Sequence, residues 1–205
     1  MKKRVSFLMA LVMLVTLLGG CGSDPQSGDS DVRTVNLRNT ASLTTSDPNM
    51  TTNTHDYTVH ENIYEGLYDL DEATGGYELR LAEKVEPNED STEYIVTLKQ
   101  GVKFHNGETM TADDVVFSYG LAQASARMAS YIRTLDHVEK VDDNTVKIVM
   151  NQPFSPIGHM MYKVKILSQK EVTEQGDDFG KIANKAGTGP YMWEEENYNP
   201  MTSWS

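Results

Sequence analysis

The feature that most restricts the fold is a pair of period-two runs, EYIVTL at 93–98 and TVKIVM at 145–150. Tyr94, Val96 and Leu98 fall on one face of the first, with Ile95 and Thr97 on the other; Val146, Ile148 and Met150 share a face of the second. Alternation of this kind is the strand repeat, and such strands need hydrogen-bonded neighbours. Each has one nearby: KVEP precedes the first, and DHVEKVD precedes the second across Asp142-Asp143-Asn144. LYDLDEATGGYEL reads as a further hairpin around Gly75-Gly76. Arg33–Arg38 reads as a first strand, Thr40–Thr54 as a loop, and Val164–Leu167 as a short strand. AGTGPYMWEE reads as a glycine-rich turn followed by a strand.

Helices fall between these pairs. Tyr57, Ile63, Tyr64 and Leu67 recur at helical spacing over 55–67, with Gly66 as a stop. Asn106-Gly107 marks a tight turn, and Thr111-x-x-Asp114 then caps a helix over 112–124, with Asp113 and Asp114 suiting its positive end. The proline-containing NQPFSPIGHMM leads into a short helix, and Ser168 caps another over 169–175. Strands in pairs, helices interspersed and no regular βαβ alternation predict a mixed α/β (α+β) fold.

The N-terminus sets the compartment. Lys2, Lys3 and Arg4 precede an apolar run, Val5–Leu18, which suits the h-region of a signal peptide over residues 1–20. Leu18-Gly19-Gly20-Cys21 then resembles a bacterial lipobox, which makes Cys21 the expected lipid attachment site. Cys21 is the one cysteine of the chain, so no disulfide can form within it and stability must come from a packed core. Residues 21–32 are small and polar, the composition of a flexible tether. Residues 1–20 carry three basic residues and no acid, so the mature chain is three units more negative than the −12 of the whole. Such an acidic surface argues against a nucleic-acid partner.

The catalytic inventory is empty. Five histidines (55, 60, 105, 137 and 159) form no HExxH and no zinc spacing, and they read as solvated or capping residues with no metal. Gly187-Thr188-Gly189-Pro190 lacks the ending of a phosphate loop, and no GxSxG elbow occurs. No cofactor is implied. Ten tyrosines against five phenylalanines suit a tyrosine-lined cleft or an ordinary core equally.

Residues 81–120, LAEKVEPNEDSTEYIVTLKQGVKFHNGETMTADDVVFSYG, closely resemble the signature region of the family 5 extracellular solute-binding proteins of ABC importers for oligopeptides, dipeptides, nickel and related solutes. SDPN at 46–49, IYEGLYDLD at 63–71, VEKVDDNTVKIVM at 138–150 and GTGPYMWEE at 187–195 follow in the family's order, so the resemblance covers about residues 33–196. It implies a partial family domain over 33–205: the N-terminal lobe of a type II periplasmic-binding-protein-like clamshell, with the second lobe absent. The implied role is non-enzymatic. A lipoprotein on the outer face of the cytoplasmic membrane, or in the periplasmic space, captures peptides and delivers them to a permease and ATPase complex. Ala41, Ser42, Leu43 and Thr44 would then face the ligand, pairing backbone with an extended peptide. Tyr131 would either approach it or serve the core. By the same resemblance this chain alone is expected to bind peptide weakly or not at all. The alternatives are a fragment without a transport role, an envelope interaction module, or an envelope hydrolase using Asp113 and Asp114.

Overall fold

The computed structural model describes residues 42–51 and 53–194. The expected first strand at 33–38, Cys21, the tether and Ala41 lie outside the described residues.

Among the described residues six strands and five α-helices follow one another. Helix α1 (Thr54–Ile63) leads to the hairpin β1 (Tyr68–Asp71) and β2 (Gly76–Leu79), then to β3 (Ala82–Pro87) and β4 (Glu93–Leu98). Helices α2 (Ala112–Ala124) and α3 (Ala129–Ile132) precede β5 (Leu135–Asp142) and β6 (Thr145–Met150). Helices α4 (Ile157–Lys163) and α5 (Gln169–Gln175) close the series. The four longer strands form an antiparallel sheet in the order β3-β4-β6-β5, and β1-β2 is a separate two-stranded ribbon. The α+β expectation therefore holds.

The register follows from the period-two pattern. Tyr94 pairs with Ile148, and Val96 with Val146, so the buried alternates of the two central strands stand side by side. On the opposite face Lys147 lies between Glu93 and Glu139 and forms an ion pair with each. A one-residue slip would exchange these faces, which is why the register is so well specified. Helix α2 packs over β5 and β6. Its first turn is closed by Asp114, whose Oδ2 accepts from the Thr111 N–H at 2.9 Å. Gly107 takes φ 87° in the preceding turn, as its sequence context predicts. Helix α4 lies against the β1-β2 ribbon.

Three sequence expectations need correction. Helix α1 ends at Ile63 and not at 67, because the chain leaves it for a single bridge between Gly66 and Lys165. That bridge is all that forms of the strand expected at 164–167. Residues 191–194 form no strand either: Gly189 and Tyr191 donate their N–H groups to the carbonyls of Ile63 and Asn62, the last turn of α1. The free carbonyls of a helix end take the place of a neighbouring strand.

Candidate functional site

Residues 42–47 form no regular element, and a buried polar network holds them in place. Asp56, on the first turn of α1 and wholly buried, accepts from the Thr44 N–H at 3.1 Å, from the Thr44 hydroxyl, and from the Thr51 hydroxyl at 2.7 Å. The Thr45 carbonyl meets His60 Nε2 at 2.9 Å. Ser46 donates from its N–H to the Gly180 carbonyl and from its hydroxyl to that of Ile182. Tyr64, at the end of α1, places its hydroxyl against the Ser46 carbonyl and accepts from Trp193 Nε1 at 2.8 Å. His60, one of the histidines read as solvated or capping, is therefore a core residue, and burial pushes its pKa below the usual imidazole value.

One residue on from Asp56 and His60 along α1, Tyr57 and Glu61 share the adjacent face and meet a cluster of rings and cations. The Lys163 ammonium lies 4.8 Å from the centre of the Tyr57 ring, 4.7 Å from that of Tyr162 and 5.9 Å from that of Tyr131. Lys165 lies 4.5 Å from the Tyr162 ring centre. The Tyr162 hydroxyl donates to Glu61. His159 is stacked on Tyr77 with centroids 6.0 Å apart and meets Tyr131 edge-on at 5.5 Å. Among the described residues neither Lys163 nor Lys165 forms an ion pair, so aromatic faces are the close partners of both.

The environment shifts the titrating groups in line with this packing. Burial lowers Lys165 to about 8, against the opposing pull of Glu61 and Asp69, so the ammonium stays charged at neutral pH. Burial, then the neighbouring Tyr131 and Glu61, raise Tyr57 to about 12. His159 is lowered by partial burial and then by the Lys163 charge.

Of the predicted ligand-facing residues, Thr44 is linked to Tyr131 through α1: Thr44 is tied to Asp56, and the next residue, Tyr57, shares Lys163 with Tyr131. The site holds no nucleophile activated by a base, and no group of three metal-ligating side chains occurs among the described residues. What it presents is tyrosine faces and ammonium groups side by side.

A family model described as bacterial extracellular solute-binding proteins, family 5 Middle, matches residues 76–204. The chain belongs to that family. It is 30% identical to the glutathione-binding protein GsiB of Salmonella typhi over 162 residues, 77% of this chain and 31% of that protein. It also resembles the solved structure of MoaA from A. tumefaciens R10 in complex with mannopinic acid, at 31% identity and a TM-score of 0.68, covering 75% of this chain and 33% of that one. A third likeness is to the oligopeptide-binding protein AppA from Bacillus subtilis in complex with a nonapeptide, at 25% identity and a TM-score of 0.66, again covering 75% and 33%. The chain spans about a third of the length of these relatives, as one lobe of the clamshell would.

Membership of a solute-binding family removes the hydrolase alternative, and the acidic pair has structural employment. Asp113 pairs with Lys140 at 2.8 Å, while Asp114 Oδ1 accepts from the Gln169 N–H at 3.0 Å and its Oδ2 caps α2. Sequence reasoning had no direct signal for Lys163, Lys165, Tyr57 or Tyr162. The only hints were the spacing of four between Tyr57 and Glu61 on α1 and between His159 and Lys163 on α4, which puts each pair on one helix face.

Proposed function

We propose that this chain is the solute-gripping lobe of a substrate-binding lipoprotein of an ABC importer, one that captures peptides and hands them to a membrane permease and its ATPase. The observation that carries this reading is the ring of Tyr57, Tyr131 and Tyr162 around Lys163, next to a backbone segment held in place by Asp56. The family, and the peptide and other small solutes named for its relatives, support the reading. In it Ala41, Ser42, Leu43 and Thr44 pair with an extended peptide backbone and Tyr131 covers the ligand. Residues 1–20 serve as a cleaved signal and 21–32 as a tether, lipidated at Cys21 on the outer face of the cytoplasmic membrane; residues 33–205 form the lobe. No helix among the described residues is long and apolar enough to cross a membrane. Incorporation of a labelled fatty acid, abolished by Cys21→Ala, tests the anchor.

Binding is tested by titrating the ¹⁵N-labelled chain with tri- and pentapeptides at millimolar concentration. Amide shifts are expected at Ser42–Thr44, Tyr57, Tyr131 and Lys163, with the peptide recovered intact. Shifts confined to other surfaces, or turnover of the peptide, would refute the reading.

A further inference from the structure

We propose that the half-open cavity between α3 and α4 is a subsite for an apolar group that carries a carboxylate, such as the C-terminal residue of a peptide with an apolar side chain. The inference rests on the solute-binding reading and adds the chemical class of the solute. The cavity measures about 370 Å³, within the range of small-molecule sites. Tyr131, Phe154 and Met160 supply apolar wall, and His159, edge-on to the Tyr131 ring, lines the cavity beside it.

Two polar features select the ligand. Thr134 lines the cavity and is 3% exposed, yet its hydroxyl is buried with no hydrogen-bond partner among the described residues. Buried hydroxyls nearly always find a partner, and in the proposed complex a ligand oxygen supplies it. Arg133 stands at the exposed mouth. Its carbonyl accepts from Asn151 Nδ2, but its guanidinium joins none of the ion pairs that engage Arg80, Lys140, Lys147 and Lys170 among the described residues. No acidic residue lines the cavity, although the chain as a whole carries a net −12. An arginine among the lining residues of a partly apolar cavity, with no carboxylate lining it, suits a carboxylate-bearing apolar ligand.

The test titrates the ¹⁵N-labelled full chain with N-acetylphenylalanine, with its amide and with acetate. N-acetylphenylalanine should shift Tyr131, Thr134 and Met160, the amide should bind on the order of ten-fold more weakly, and acetate should leave these signals unmoved. Arg133→Gln should equalise the acid and the amide. Ser130→Trp, at an exposed position on the rim, should block both while the circular-dichroism melt is unchanged. Equal binding of acid and amide by the wild type, or a preference that survives Arg133→Gln, overturns the proposal. A silent cavity alongside peptide shifts at Ser42–Thr44 and Tyr57 overturns it and leaves the solute-binding reading standing. Silence toward both the probes and the peptides overturns the two together.

Discussion

Replacing Asp56 measures how firmly the ligand-facing segment is held. The carboxylate is 0% exposed and accepts from two donors on Thr44 and one on Thr51. In Asp56→Ala the Thr51 hydroxyl, 2% exposed, keeps no acceptor, at a cost of about 1–3 kcal/mol. Thr44 is exposed and regains water, so its loss adds only about 1 kcal/mol. The total is about 3 kcal/mol, or roughly 6–12 °C in Tm for a chain of this size. Asp56→Asn keeps an acceptor for the Thr44 N–H, and both threonine hydroxyls can rotate to accept from the new amide, so about 1 kcal/mol is expected. Urea and thermal melts followed by circular dichroism give the magnitudes. Hydrogen exchange locates the effect: the Thr44 amide should lose protection in the alanine variant while Val96 and Ile148, in the central strands, keep theirs. An alanine variant within about 0.5 kcal/mol of wild type, or an asparagine variant as unstable as the alanine, would refute the network as the device that holds residues 42–47.

Other expectations follow from the same structure. Burial pushes the Asp47 carboxyl from the ordinary 3.8 up to about 6, against the pull of the Asn49 N–H. A carboxyl whose folded value is raised favours folding when protonated, so stability should fall as pH rises from about 4 to about 6. Asp47→Asn keeps the acceptor for Asn49, and should raise stability at pH 7 by on the order of 1 kcal/mol with no change at pH 3; melts across that range check both the sign and the window. Lys163→Gln removes the second of the two causes that lower His159, so the ring's NMR titration midpoint should move upward; an unchanged or lower midpoint would separate Lys163 from His159. A Cβ at Gly187 would stand 2.2 Å from the Ile63 carbonyl oxygen, so Gly187→Ala should cost about 2–3 kcal/mol in urea unfolding. Gly120→Ala, on α2 with nothing within 4 Å of the added carbon, should instead stabilise by about 0.5–1 kcal/mol.

What local chemistry governs was legible along the chain. Alternation identified β4 and β6, the Thr111–Asp114 pair placed the start of α2, Ser168 the start of α5, and Asn106-Gly107 the turn before α2. Each of these rules acts over a few residues: the strand repeat, a cap's reach to the third amide, the tolerance of glycine for positive φ. The misreadings at 164–167 and 191–194 arose where a short apolar run was present but a neighbouring strand was not, and only the fold decides who the neighbour is.

The candidate site was decided at that longer range. The sequence by itself determined the strand pairs and the capped helices, because those depend on residue type and short spacing. Tertiary structure alone decided that Tyr64 and Tyr119 are core while Tyr57, Tyr131 and Tyr162 surround Lys163. It alone left the Thr134 hydroxyl without a partner beside Arg133. A cation–aromatic contact carries no sequence signature when its members stand as far apart as Tyr57 and Lys163, since its energy depends on distance in space and not on separation along the chain.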